Sequence, residues 1–200
     1  ETGTTGVDEN IVNMTYKEVR RLDAGSWYSD EYKGEKVPGL REVLELAQGK
    51  IKLNIELKPA DNGEELARKT VALIEKYNME NDCVITSFSS SALSAAKSCD
   101  ENIRVGYILS AAYGDYYDMK NIDFFSVNAA FLSKRTIDAI HNSGKQVYAW
   151  TVNNKDSIKN LTNKGVDGVI TDNPVLARET IYSRDTSETI VNMIRYVFNQ

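Results

Sequence analysis

The chain has 200 residues, of which 42% are hydrophobic, and its net charge at pH 7 is −5. This length and apolar content suffice for one sizeable core, so we expect a single domain. An acidic chain without a Lys/Arg block is poorly suited to nucleic acid, because binding the phosphate backbone requires clustered positive charge. The sequence has no apolar run near the roughly 20 residues of a membrane span, and its first residues do not resemble a signal peptide.

Residues 1–50 predict a loop region that contains two helices. The first helix covers Tyr16–Leu22, and Thr15 before it with Glu18 three residues later forms the pattern of a capping box. The second helix covers Leu40–Ala47 and ends where a glycine follows.

From residue 51 onward one pattern repeats: a short β-branched run, a polar turn and an amphipathic stretch. The runs have the length and residue types of strands, and they cover Ile51–Leu57, Cys83–Phe88, Ile103–Leu109, Ile122–Val127, Gln146–Val152 and Val166–Thr171. Apolar faces at helical spacing predict helices between most of them, at Glu64–Tyr77, Ser133–Asn142, Lys155–Lys164 and from Pro174 to about Tyr182. The segment Ala111–Lys120 predicts a loop with a short turn.

Strands that alternate with helices predict βα units and a parallel sheet. Six such units fit a (β/α)8 barrel of the TIM type or a doubly wound sheet, and the absence of glycine-rich nucleotide motifs favours the barrel. We therefore expect an α/β barrel that is truncated at its N-terminal side, with about six of the eight βα units. The barrel domain is expected to span residues 1–185, with the insertion at 1–50 and the units at 51–185.

Residues 186–200 predict one more helix with an apolar stripe. The stripe consists of Ile190, Val191, Ile194, Val197 and Phe198. Such a helix packs on the outside of the barrel, or it contacts a second chain or an upstream domain.

Active sites of βα barrels lie at the C-terminal ends of the strands, and the first strand ends in Glu56-Leu57-Lys58. Alternation places Glu56 and Lys58 on the same side of the strand. A carboxylate and an ammonium at this spacing can hold a hard divalent cation and an anionic oxygen. The alternative is a structural ion pair at the rim.

Other strand ends carry candidate supporting residues. Ser87, next to Phe88, offers a hydroxyl for phosphate oxygens, but hydroxyls here also cap the next helix. Trp150 walls a small pocket or belongs to the core, and Asn153 follows it. Asp172 orients a site group or caps the helix that follows it.

The single histidine, His141, lies late in the helix before the fifth strand, where the helix dipole favours it and no active site is expected. The sequence therefore offers no well-placed histidine acid or base and no Ser-His or Cys-His dyad. The cysteines, Cys83 and Cys99, fit neither a zinc site nor a CxxC motif. They are interpreted as partly buried apolar residues. A disulfide is the alternative, because both fall at one rim of neighbouring strands.

Taken together, these segments resemble the glycerophosphodiester phosphodiesterase family, in order and at the family's spacing from about residue 12 to 182. No single motif is specific, but their combination is. Asn13–Tyr28 resembles the family's LTxxELxxLDAGSWF insertion, Lys36–Leu44 its IPTLEEVL, Asn54–Lys58 its NIELK, Thr86–Phe88 its SSF, Trp150–Asn153 its WTVN and Ile170–Pro174 its ITDNP. The run from Gly106 to Arg184 is most similar to membrane-anchored members from Gram-positive bacteria.

The resemblance implies a (β/α)8 barrel with a small insertion over the site. It also implies hydrolysis of glycerophosphodiesters to an alcohol and glycerol 3-phosphate, usually with Ca²⁺ or Mg²⁺, as part of lipid and glycerol metabolism. By position, Glu56 corresponds to the third carboxylate ligand of the metal and Lys58 to a phosphate-binding cation. Trp150 corresponds to the apolar wall near the glycerol moiety.

The sequence departs from the family at its N-terminal side. The family's HRG strand, PENT helix start, ELD strand and HD segment have no counterpart here, and these carry the two catalytic histidines and two of three metal carboxylates. We therefore expect the 200-residue chain to be inactive alone and to bind Ca²⁺ or Mg²⁺ only weakly, whereas its parent protein is an enzyme. The parent is expected to be anchored to a membrane, with this domain outside the cytoplasm. Gly39 replaces the family's Thr, which is expected to loosen the next helix cap.

Two other expectations follow from the missing strands. One is an alternative function: a non-catalytic barrel module that binds an anionic ligand or a partner. The other concerns assembly, because six strands leave two open edges and apolar side chains facing a gap. We favour association of copies over plugging by residues 1–14, which begin with a polar, glycine-containing segment.

Overall fold

The structure, a computed structural model, describes residues 2–183 apart from 112, 113 and 115. Its centre is one sheet of six parallel strands, in which each strand pairs with the next one along the chain. The strands are β1 (Leu53–Leu57), β2 (Cys83–Ser87), β3 (Arg104–Leu109), β4 (Phe124–Asn128), β5 (Gln146–Trp150) and β6 (Gly168–Val169). The predicted strands and their parallel arrangement are confirmed.

Three helices precede the first strand, and most of the later strands are followed by a helix. In the described part of the chain they are α1 (Thr2–Thr5), α2 (Tyr16–Val19), α3 (Leu40–Ala47), α4 (Gly63–Lys76), α5 (Ser90–Cys99), α6 (Lys134–Asn142), α7 (Lys155–Lys164) and α8, which is described over 174–183. The predicted loop after β3 contains a short 3-10 turn, Tyr116–Asp118. The alternation of strands and helices is thus the βα architecture that the sequence predicts.

Two predicted elements are shorter than expected. The prediction for α2 ran to Leu22, but from Arg21 onward the backbone makes i→i+3 bonds, so the helix tightens into a turn. The last strand was predicted over 166–171 and is only Gly168–Val169. The chain still follows β5 beyond it, because Ile170 N–H bonds to the carbonyl of Ala149.

The main core lies between the outer face of the sheet and the helices. Alternate strand residues point outward into it, and the fully buried ones are Ile85, Val105, Phe125, Val127, Val147 and Ala149. Apolar helix faces cover them, with Val71, Ile74, Leu93, Ala96, Ile137, Ile140 and Ile158 completely buried. Each large apolar side chain contributes roughly 1.5–3 kcal/mol by leaving water, which is why the amphipathic helices dock here.

The inner face of the sheet has its own apolar cluster. The Phe124 ring is fully buried, lies 4.7 Å from the Tyr148 ring by centroids, and has the Arg104 guanidinium 5.7 Å above it. Gly106 on the neighbouring strand makes room, since a Cβ there would lie 2.1 Å from Cε2 of Phe124. Arg104 of β3 also bonds to Gln146 of β5, which skips one strand and shows that the sheet is curled.

The N-terminal region attaches to this body through α3, whose Leu44 and Ala47 are buried in the main core. The predicted capping box of α2 is confirmed, because Thr15 N–H donates to Glu18 Oε2 (2.7 Å) and Glu18 N–H donates to Thr15 Oγ1 (3.3 Å). The cap of α3 keeps only half of such a box. Gly39 N–H donates to Glu42 Oε2 (2.7 Å) without a side chain to return the bond.

Several expectations concern the limits of this fold. Strand order runs from β1 to β6, and no pairing between these two strands is found within the described residues. The helix predicted at 187–198 lies outside them. No helix of the described ranges is long and apolar enough to cross a membrane.

Cys83 is buried and Cys99 is exposed, both as free thiols, so the disulfide alternative is wrong for this structure.

Candidate active site

A cavity of about 360 Å³ opens at the carboxyl ends of the strands, on the inner side of the curled sheet. Residues in or just after each of the six strands line it. They are Asn54, Glu56, Lys58, Thr86, Phe88, Ile108, Ser126, Trp150, Thr151 and Ile170. This is the end of a βα barrel where active sites lie, so the curl of the sheet gathers the strand ends into one candidate site.

The first strand contributes a carboxylate and an ammonium to this cavity. Lys58 Nζ lies 3.9 Å from Glu56 Oε1, and the two side chains are 79% and 36% exposed. An ion pair this exposed stabilises the fold little, because water screens it. Lys58 therefore keeps its charge available for an anion in the cavity.

Asn54 precedes Glu56 on the same face of β1, and its Oδ1 accepts a hydrogen bond from Thr86 Oγ1 (2.9 Å). This bond ties the floor of the cavity across β1 and β2. Asn54 was not singled out as a site residue from the sequence, although the alternation that predicts Glu56 and Lys58 on one side also places Asn54 there.

A divalent cation requires more oxygen ligands than these residues supply. Within residues 2–111, 114 and 116–183, no group of three or more His, Cys, Asp or Glu side chains comes together. Glu56 is the one carboxylate among the residues that line the cavity, and Lys58 stands beside it. Because Ca²⁺ takes six to eight oxygens and Mg²⁺ about six, the described residues do not by themselves fit a tight metal site.

The hydroxyls of Ser87, at the end of β2, and of Ser89, just after it, make hydrogen bonds within the fold. Ser87 is fully buried, and its Oγ donates to the Leu57 carbonyl (2.8 Å) and accepts from Ser89 N–H (3.0 Å). Ser89 caps α5 by accepting from Ala92 N–H (3.3 Å), which confirms the cap interpretation for this turn. Ser87 thus positions the end of β2 rather than facing the cavity.

Two aromatic side chains line the same cavity as the charged pair. Trp150 is half-buried, and its Nε1 donates to the Ser126 carbonyl (2.9 Å). The Phe88 ring is edge-on to the indole, with centroids 6.5 Å apart, and this residue is 50% exposed. Trp150 therefore belongs to the lining of the cavity rather than to the buried core, and its indole N–H, at the edge of the ring, is satisfied by a backbone carbonyl.

Asn153 and Asp172 connect the two loops that follow β5 and β6. Asn153 Nδ2 donates to Asp172 Oδ2 (2.7 Å), and Asn153 Oδ1 accepts from Asp172 N–H (2.9 Å) and Thr171 Oγ1 (3.0 Å). The next helix is capped by Asn173, whose Oδ1 accepts from Leu176 N–H (3.1 Å). The interpretation of Asp172 as that cap is therefore wrong, and its carboxylate holds the loop of Asn153.

His141 lies far from this chemistry, at the amino-terminal end of the strands, as the sequence predicts. Its Nε2 is 2.9 Å from Asp167 Oδ2, and the same oxygen accepts from Val147 N–H (2.8 Å). Lys97 and Asp123 repeat the arrangement two strands earlier, where Asp123 accepts from Val105 N–H (2.7 Å). The histidine therefore belongs to a repeated arrangement, in which an Asp paired with a basic side chain also accepts a backbone N–H near the start of a strand.

The fold and this cavity define a βα-barrel protein whose candidate active site lies at the carboxyl ends of its strands. The profile of the Glycerophosphoryl diester phosphodiesterase family matches residues 2–176. The chain therefore belongs to this family of phosphodiesterases, and the resemblance to the family is confirmed.

Individual relatives agree with the family match. A glycerophosphodiester phosphodiesterase of Caldanaerobacter subterraneus subsp. tengcongensis is 26% identical over 202 residues, which cover 96% of this chain and 76% of the relative. One from Bacillus altitudinis is 27% identical, covering 86% of this chain and 73% of its own length. The structure of an Oleispira antarctica phosphodiesterase in complex with the product sn-glycerol-3-phosphate superimposes with a TM-score of 0.79 at 29% identity, covering 90% of this chain and 76% of that one.

Proposed function

We propose that the cavity binds the glycerophosphate half of a glycerophosphodiester, the substrate class that is hydrolysed to an alcohol and glycerol 3-phosphate. The observation that carries the proposal is the placement of the Lys58 ammonium and the Trp150–Phe88 wall around one cavity. Phosphate is an anion, and the glycerol carbons are apolar, so a cavity lined by a cation and by aromatic rings suits both halves of the moiety. The product named in the Oleispira structure supports the same assignment.

Each residue has a role that its surroundings support. Lys58 is the phosphate-binding cation, and its weak pairing with Glu56 leaves donors free for phosphate oxygens. Trp150, held by its bond to Ser126, is the rigid apolar wall. Asn153 and Asp172 keep the neighbouring loop in place. Glu56 is one oxygen ligand for Ca²⁺ or Mg²⁺, an ion that would neutralise phosphate charge when bound.

We further propose that the 200-residue chain binds this moiety without hydrolysing it. A general acid and base must lie within hydrogen-bond reach of the reacting atoms, and the chain's one histidine is paired with Asp167 away from the cavity. Binding of Ca²⁺ or Mg²⁺ is expected to be weak, since Glu56 alone competes poorly with water. The same cavity also fits the second candidate function, a non-catalytic module for anionic ligands.

The test is a titration of the chain with glycerol 3-phosphate, combined with an assay for its release from glycerophosphocholine with added Ca²⁺. We expect saturable binding and no release. Lys58→Ala should weaken binding about tenfold, the effect of losing one charge-assisted contact. Lys52→Ala is the matched control, because Lys52 lies at the other end of β1 beside Asp82. Equal affinities of the two variants would contradict the role of Lys58, and release of product would contradict the lack of activity.

A further inference from the structure

The floor of the strand-end cavity carries polar side chains. Three of them, Asn54 on β1, Thr86 on β2 and Ser126 on β4, lie on the inner face of the sheet, and we name these the polar floor. Thr86 and Ser126 are almost completely buried, with 1% and 2% of their surface exposed, whereas Asn54 is exposed. Polar groups inside a protein are normally hydrogen-bonded, so the bonds of the polar floor decide what it can offer a ligand.

A hydrogen bond between two strands fixes the Asn54 amide. Its Oδ1 accepts from Thr86 Oγ1 (2.9 Å), and Thr86 lies in the middle of the sheet, in register with Glu56. With the amide oxygen engaged, Nδ2 is the part of Asn54 left to a ligand, and among the described residues it has no hydrogen-bond partner. An amide nitrogen carries two donors. Because the bond to Thr86 orients the amide before a ligand arrives, binding costs little entropy.

The Ser126 hydroxyl is the second group of the polar floor that a ligand can reach. It has no hydrogen-bond partner among the described residues, and no fully enclosed side-chain nitrogen or oxygen of these residues lacks one. The small exposed part of Ser126 therefore includes its Oγ. The carbonyl of the same residue holds Trp150 Nε1 at 2.9 Å, so this hydroxyl belongs to the strand position that supports the aromatic wall. A hydroxyl both donates and accepts hydrogen bonds.

We propose that the polar floor binds the two free hydroxyls of the glycerol moiety and so determines the specificity for glycerol over an unsubstituted alkyl group. The inference rests on the proposed function, which places the phosphate at Lys58. Asn54 lies two residues before Glu56 on the same face of β1, a separation of about 7 Å that is comparable with the length of glycerophosphate. Asn54 Nδ2 donates to one hydroxyl and Ser126 Oγ bonds to the other, while Thr86 is a positioning residue.

Calorimetric titration of the unmodified chain with glycerol 3-phosphate and with propyl phosphate tests this inference. The two ligands share the phosphate and the three carbons, but propyl phosphate has no hydroxyl and leaves the polar floor unpaired. We expect glycerol 3-phosphate to bind about tenfold more tightly. Asn54→Leu and Ser126→Ala should each reduce this preference by about threefold or more, with the affinity for propyl phosphate changed by less than about twofold.

Two further comparisons separate hydrogen bonding from packing. Thr86→Val, which removes the hydroxyl but keeps the shape, should reduce the preference, whereas Thr86→Ser, which keeps the hydroxyl, should retain it. Asn142→Leu is the matched control for Asn54→Leu, because Asn142 is also exposed but lies at the end of α6. It should change neither affinity. Partial unfolding of a variant lowers both affinities by the same factor, so the preference itself reports only the polar floor.

The outcomes distinguish this inference from the proposed function. Equal affinities of the two phosphates for the unmodified chain, or a preference that survives in both Asn54→Leu and Ser126→Ala, would overturn the inference and leave the phosphate assignment standing. Loss of the preference in Thr86→Ser as well as in Thr86→Val would contradict the positioning role of Thr86. If neither phosphate shows saturable binding, the proposed function fails and the inference fails with it.

Discussion

Gly106 lies on the inner face of the sheet, at a position where no side chain fits. Its Cβ position lies 2.1 Å from Cε2, 2.3 Å from Cζ and 2.6 Å from Cδ2 of the fully buried Phe124 ring. Carbon atoms in contact prefer about 3.5–4.0 Å, so Gly106→Ala requires the ring to move by more than about 1 Å. The ring is held by Tyr148 on one side and by Arg104 above it. We therefore expect a loss of stability.

The size of this loss follows from two opposing effects. Overpacking a well-filled site costs typically about 1–3 kcal/mol, while replacing glycine inside a strand recovers about 0.5–1 kcal/mol. Weakening the Phe124–Tyr148 contact adds about 0.5–1.5 kcal/mol. The net expectation is a loss of about 2 kcal/mol, which lowers the melting temperature of a chain this long by about 4–8 °C.

Urea and thermal unfolding followed by circular dichroism measure this change. Gly168→Ala is the matched control, because its Cβ would lie 3.2 Å from the Tyr148 ring and needs only a small shift. In a double-mutant cycle, Phe124→Leu should offset part of the cost of Gly106→Ala, with a coupling of about 1 kcal/mol or more. If Gly106→Ala is no more harmful than Gly168→Ala, or if the cycle is additive, the clash is not the cause.

Three other predictions concern thiols, assembly and acid. In the folded chain, a thiol reagent should modify the exposed Cys99 quickly and Cys83 only on unfolding. Burial is the main reason that the pKa of Cys83 is raised to about 11, and the charges of Asp82 and Glu80 add to it. Rapid modification of both thiols in the folded chain would contradict this prediction. Light scattering should show association at micromolar concentration, since β1 and β6 each lack a second neighbour among the described residues; a stable monomer with a cooperative melt would refute it. Hydrogen bonds from Ser26 and Gly25 lower the pKa of Asp23 well below its usual value. The ionised Asp23 carboxylate therefore stabilises the turn fully above about pH 4, and this stabilisation is lost as the pH falls further. Trp27 fluorescence should change on acidification as the turn loosens. An unchanged fluorescence signal down to about pH 1 would contradict this prediction.

The sequence by itself determined the order of elements and the end of the sheet that carries the candidate site. Its β-branched runs, separated by amphipathic stretches, predict each strand, because period-2 and period-3.6 burial are local properties of a segment. The same logic placed Glu56 and Lys58 on one side of β1 and His141 away from the chemistry. Element ends were less certain, since the contraction of β6 depends on pairing with β5.

Only the tertiary structure decided which polar groups are available to a ligand. In the sequence, Ser87 and Asp172 each have a site interpretation and a structural interpretation. In the structure, the Ser87 hydroxyl donates to the Leu57 carbonyl, and the Asp172 carboxylate accepts from the Asn153 side chain. These partners lie 30 and 19 residues away along the chain. The curl of the sheet, which brings Phe88 to Trp150, likewise depends on strands packing together, as Phe124 packs over Gly106. Side-chain partners that are distant in sequence leave no local pattern, and the folded sheet alone brings them into contact.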